Sequence, residues 1–290
     1  MIDLYIFINR VIDLVMGPLE PLHPVVPLTA GAVVVGVVAM LIYKYASSQD
    51  RIKDAKDKIK GHFYEVWIYI DDAPVIIGSQ LRIVYNAGRY MVFALPPLII
   101  MIVVFFPLFA NFETRYAMRP ARSGEEVLVK VRLARYMDGW KEAVKLELPA
   151  DVKMVGHPLR QVRKIKESPD SLKVKRFDYV FNYKLKPEKT GDHQLRFKVE
   201  GTEFTVPFFC GDEDSYGRRA PPFVTSSLGT ALLYPPLEAL PADAPVERVE
   251  IRYPEADFPF PGWETWWVWP FLIISVVAAM LVKGVFKVEI

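Results

Sequence analysis

The feature that most limits what this chain can fold into is a set of three long, uncharged apolar runs. Val25 to Tyr43 is 19 residues without a charge, Tyr90 to Phe112 is 23, and Thr265 to Val282 is 18. A bilayer core about 30 Å thick needs roughly 20 helical residues rising 1.5 Å each. The lengths predict three transmembrane helices, over 25–45, 89–112 and 264–284, and fit less well with buried helices of a soluble protein. Trp263, Trp266, Trp267 and Trp269 gather at one end of the third run and read as interfacial anchors. Composition adds little: 52% of residues are hydrophobic, a share that soluble chains also reach, and the net charge of +2 selects no partner.

Orientation follows Lys and Arg near the ends of the spans. Lys44, Arg51, Lys53, Lys56, Lys58, Lys60, Arg82 and Arg89 lie between the first two, and Lys283 and Lys287 follow the third; Arg10, Arg115, Arg119, Arg122, Arg248 and Arg252 lie on the other side. Ten against six predicts a multi-pass protein of the cytoplasmic (inner) membrane, with its N-terminus outside and a tail over 285–290 inside. The first residues do not read as a signal peptide, because Asp3 comes early and no basic stretch precedes an apolar core.

Between the spans the pattern changes. Over 1–17, Leu4, Phe7, Ile8, Val11, Ile12 and Val15 recur at helical spacing, which predicts an amphipathic helix lying in the membrane interface. Gly17-Pro18 ends it. Residues 46–88 read as a cytoplasmic helical hairpin turning at Asp71-Asp72-Ala73-Pro74, with Ile52, Ile59, Phe63 and Trp67 on the face turned to the other arm. The alternative is a basic helix lying on anionic lipid. Pro96, Pro97 and Pro107 predict a bent second span.

Residues 123–212, within an expected domain over 113–212, alternate apolar and polar residues, as in EEVLVKVRL and GDHQLRFKVEGTEFTVPFFC, the period of strands. Glu200-Gly201 reads as a tight hairpin turn. The expectation is membrane α + β: three spans, a cytoplasmic helical hairpin and an extracytoplasmic immunoglobulin-like β-sandwich of about seven strands. A single cysteine, Cys210, excludes an internal disulfide framework. Residues 213–263 carry nine prolines and read as an ordered connector with one strand, Val246 to Tyr253.

No catalytic constellation is visible, so the chain is not expected to be an enzyme. The histidines at 23, 62, 157 and 193 form no metal pair, and no phosphate loop, dinucleotide glycine pattern or nucleophile motif occurs. No metal and no cofactor is expected. Lys53 to Lys60 alternates with Asp54 and Asp57, a pattern of ion pairs along a solvated helix rather than a nucleic-acid patch. The expected partners are the lipid bilayer and another membrane protein.

One stretch resembles a family. VIDLVMGPLEPLHPVVPLTAGAVVVGVVAMLIYKYASSQ, then RIKDAKDKIK, then LPPLIIMIVVFFPLFANFETRYAMRPARSGEEVLVKVRL, is similar to the archaeal YidC-like proteins of the YidC insertase superfamily, over about residues 9–120 plus the order of the last span. The resemblance implies membrane-protein insertion or assembly, through a groove open to cytoplasm and lipid that receives polar parts of a client. Bacterial insertases of this type carry a basic residue inside the groove. Here the spans have no charge in their middles, and Lys44, Arg89 and Lys283 are placed to reach inward from the cytoplasmic ends. Thr29 and Ser275 supply hydroxyls within spans, and Pro96 and Pro97 the bend. The competing expectation is a non-catalytic accessory subunit of a larger membrane complex, which binds a partner through its outer β domain.

Overall fold

The computed structural model describes residues 2–136, 139–166, 174–212, 217–241 and 243–286. The chain is helix plus sheet, and it divides into two compact units: residues 1–27 with 107–267, and residues 28–106 with 268–290. The expected tail beyond residue 286 lies outside the described residues.

The first unit holds helix α1 (Ile2–Met16) and a β domain. Its first sheet has the order β1-β8-β7-β3, from β1 (Ala121–Arg122), β3 (Val144–Glu147), β7 (Gly191–Val199) and β8 (Thr202–Gly211). The second has the order β4-β6-β2-β10-β9, with β5 also on β6. Its strands are β2 (Val127–Leu133), β4 (Val152–Met154), β5 (Leu159–Lys166), β6 (Val174–Pro187), β9 (Phe223–Thr225) and β10 (Val246–Arg252). Short helices α5 (Trp140–Ala143) and α6 (Leu228–Leu233) and a small ribbon of β11 (Phe258–Phe260) with β12 (Trp263–Thr265) complete it.

Both sheets feed one core. Val127, Val129, Val131 and Leu133 of β2 point inward at alternate positions, and Phe181, Phe197 and Phe208 from β6, β7 and β8 are fully buried. Burying a side chain of that size contributes about 1.5–3 kcal/mol. Strands β7 and β8 meet at Val199 opposite Thr202, and Glu200 (φ 49°) and Gly201 (φ 86°) turn between them in the left-handed region that a two-residue hairpin loop requires.

The expected connector over 213–263 contains the expected strand, as β10 (Val246–Arg252), and is further tied into the β domain. It supplies β9 and β10 to the larger sheet, and Ala220, Val224, Leu240, Val249 and Ile251 to the core. Pro222 precedes β9, and its carbonyl accepts the Ile251 N–H at 2.7 Å; Pro259 sits within the short strand β11 of the two-stranded ribbon.

The second unit contains α2 (Val25–Ala46, from Leu28), α3 (Gln49–Ile68), the first part of α4 (Ala73–Phe112) and α7 (Val268–Phe286). Two helices, Val25–Ala46 and the α4 helix, are long and apolar enough to cross a membrane; α7 is a shorter apolar helix. Helix α4 is a single element of 40 residues, so the second hairpin arm and the expected second span are one continuous helix, unbroken at Pro96, Pro97 and Pro107.

Candidate functional site

The residues singled out in the sequence fall mostly in the second unit, where α2 and α7 form a close pair. A Cβ at Gly36 would collide with the carbonyl oxygen of Ser275 and lie 3.0 Å from Ala278 Cβ, so the two backbones meet where side chains are small. Lys44, in the last turn of α2, stands 5.7 Å from the ring of Phe286 at the end of α7. The two helices therefore run in the same direction, and Lys44 and Lys283 share one end. Ser275 is buried and donates to the Leu272 carbonyl at 3.0 Å, so its hydroxyl is satisfied within its own helix. Thr29 is half-buried, Pro97 buried and Pro96 exposed.

Arg89 is tied to α3. Its guanidinium lies 3.5 Å from Asp54, donates to Asn86 Oδ1 at 3.3 Å and stacks 5.8 Å from the Phe93 ring, with Arg51 on that ring at 5.6 Å. Arg89 is thus already engaged, unlike a cation held ready for a client. Asp54 titrates below the usual carboxylate range because Lys58 donates to it, with Arg89 a smaller contributor.

The hairpin of α3 and α4 reverses the expected pattern. Ile52 is fully buried and Ile59 half-buried, but Phe63 is 59% exposed and Trp67 77%. Between the arms sits a polar contact: Glu65 accepts from the Ser79 hydroxyl and bonds His62 Nδ1, each at 2.8 Å. These bonds, His62 first, hold the Glu65 carboxyl below its ordinary pKa. Outside sit Phe63, Tyr64, Trp67 and Ile68 on α3, and Ile77, Leu81, Val84 and Tyr85 on α4. The expected inward apolar face therefore holds only near Ile52.

The tryptophans separate. Trp263, Trp266 and Trp269 are more than half exposed, but Trp267 is 1% exposed and donates its indole N–H to Glu113 at 3.0 Å, among Phe109, Phe112 and Tyr116. It is a core residue rather than an interfacial anchor.

Sequence reasoning missed a buried ionic cluster in the first unit. Arg115 (1% exposed) donates to Asp13 Oδ1 at 2.8 Å, to the Gly217 carbonyl at 3.0 Å and to Glu20. Arg219 (5% exposed) donates to the other Asp13 oxygen, to Thr114 Oγ1 at 3.3 Å and to the Pro235 carbonyl. Asn111 donates to Asp13 at 3.0 Å and to buried Asn9 at 3.2 Å. Burial lowers the Arg219 pKa, and Asp13 opposes that shift. Helix α1 thus turns Asn9 and Asp13 inward and leaves Leu4, Phe7, Val11, Leu14 and Val15 exposed.

Among the described residues, no three His, Cys, Asp or Glu side chains converge as a metal site. Comparison with family models, with characterised proteins and with solved structures finds no match.

Proposed function

We propose that this chain is a YidC-like membrane-protein insertase or assembly chaperone of the cytoplasmic membrane, crossing it three times, through α2, the 89–112 part of α4, and α7. In this reading the N-terminus and an immunoglobulin-like β-sandwich face outward, and the hairpin and C-terminus lie in the cytoplasm. The parallel run of α2 and α7 agrees with both crossing in one direction, and the 19 residues of α7 reach about 28 Å, close to the bilayer core. The two sheets sharing one core support the sandwich, and the outward apolar stripe of α1 supports a helix seated at the interface.

The observation that carries the functional reading is the open apolar surface of α4 and the hairpin. At 40 residues α4 extends about 60 Å, twice the bilayer core, so its first turns project beyond the lipid. Those turns present Ile77, Leu81 and Val84 beside Phe63 and Trp67 of α3, a surface fit to hold an apolar client segment before it enters lipid. Within the span, Met91, Val92, Ile99, Ile102 and Val103 are all more than half exposed, leaving a flank that a client helix can line. Lys44 and Lys283 supply cationic groups at one end of the α2/α7 pair. The test is insertion of a short-tailed client into vesicles carrying the protein: Lys44→Gln with Lys283→Gln should reduce it, and unchanged insertion removes the proposal.

A second reading, an accessory subunit of a larger complex, is favoured by the lack of any charge within the middles of the spans. Under it, the spans pack against the larger complex and the outer β domain binds a partner. A stoichiometric partner retained through purification in mild detergent would support it over the first.

A further inference from the structure

The outer surface of the larger β sheet carries a feature that the insertase reading does not use. Four adjacent strands, β10, β2, β6 and β5, form a concavity of about 290 Å³ on the side turned away from the core. It is lined by Lys130, Arg132, Arg163, Arg248 and Arg252 against one carboxylate, Glu250, together with the amides of Gln161 and Asn182 and the side chain of Val180. Strand register places Arg132 directly opposite Arg248. Like charges facing each other across antiparallel strands are unfavourable, so stability alone gives no reason for this pair.

Internal carboxylates compensate the cluster only in part. Glu250 lies 3.4 Å from Lys130 and 3.0 Å from Arg252, and Arg132 lies 3.5 Å from Asp178 and 3.6 Å from Glu247. Among the described residues, five cations therefore face three carboxylates. Arg248 is braced with its guanidinium 5.5 Å from the Phe223 ring, an arrangement that fixes the group but does not neutralise it. Two fixed guanidinium forks side by side offer donor pairs matched to carboxylates, and the amides can hydrogen-bond a peptide backbone. Among the described residues no aromatic ring lines the concavity, which favours a peptide over a sugar that would stack.

We infer that this concavity is a docking site for an acidic peptide segment of a partner protein. The inference does not depend on the insertase reading. The test is fluorescence anisotropy with the full-length protein in detergent, titrated into a short labelled peptide of alternating Glu and Ser, its Gln-for-Glu counterpart, and a labelled sulfated polysaccharide. The acidic peptide should bind more tightly than the neutral one and be released by salt. R132Q with R248Q should weaken it by about tenfold or more, as expected for lost charge-assisted hydrogen bonds. R135Q with R196Q, which removes the same charge outside the concavity, should leave it unchanged. E250Q should tighten it, which tests the idea separately should the double variant fold poorly. Equal binding of the two peptides, an R132Q/R248Q protein that folds and binds like the parent, or binding of the polysaccharide alone would overturn the inference.

Discussion

Arg219 donates to the carboxylate of Asp13, joining residues 206 positions apart and anchoring helix α1 to the segment that leads into β9. Asp13 also receives Arg115, so a single carboxylate serves two nearly buried guanidiniums. Removing it leaves both cations without that partner. D13A should lower stability by about 3–5 kcal/mol, the cost of breaking a buried ion pair from one side. Thermal unfolding in detergent checks this, and a change of a few tenths would show that Glu20 and the carbonyls suffice.

The Arg119–Glu125 pair should make the β domain acid-sensitive. Arg119 donates to both oxygens of Glu125, at 2.8 and 2.9 Å, and holds its carboxyl below the ordinary value. A carboxyl whose folded pKa is depressed contributes stability above its unfolded pKa, about 4.3, and that contribution is lost as pH falls through the folded value. The stability advantage of the parent over E125Q should thus be constant above about pH 5 and vanish at lower pH. Unfolding curves of both proteins across that range measure it.

At Gly36 the constraint is contact. A larger residue must push α2 away from the Ser275 carbonyl and Ala278 of α7. G36A should cost about 1–3 kcal/mol, as overpacking does elsewhere, and G36L more. By contrast Gly61, with open space around a Cβ, should accept alanine without loss. Thermal unfolding of the three variants side by side separates the two outcomes.

On the hairpin, stability and function should part. Phe63 and Trp67 are exposed, so F63S with W67S should shift stability by less than about 0.5 kcal/mol. The same change should reduce photo-crosslinking of the hairpin to a client segment, because it removes the apolar surface assigned to capture. Full crosslinking in the double variant would detach the hairpin from that role.

Much of the β domain was legible in the sequence because period 2 is a local signal: Leu195, Phe197 and Val199, then Phe204, Val206 and Phe208, alternate inward on either side of the Glu200-Gly201 turn. The ends of α1 and α2 and the end of α4 were legible for the same reason, but α7 begins at Val268, after the ribbon strand β12, and no helix begins at 89. In the connector the strand from Val246 was legible, but its pairing with β2 and the strand β9 were not, because prolines do not tell whether the residues between them pair with a distant strand. The inward face of α3 was misread because its last turns are apolar nearly all round (Phe63, Tyr64, Val66, Trp67, Ile68), so periodicity names no single side. Trp267 and the Asp13 cluster were hidden by long-range partners: Glu113 lies 154 positions from Trp267, and Arg115 lies 102 from Asp13.

The account turns on where the β domain sits. With Cys210 replaced by serine and Arg160, exposed on β5, replaced by cysteine, a membrane-impermeant maleimide added to intact cells that retain only the cytoplasmic membrane reads its side directly. Three spans with an outward β domain predict labelling from outside without lysis. Labelling only after the membrane is opened, or a protein that remains in solution without detergent, would contradict the account.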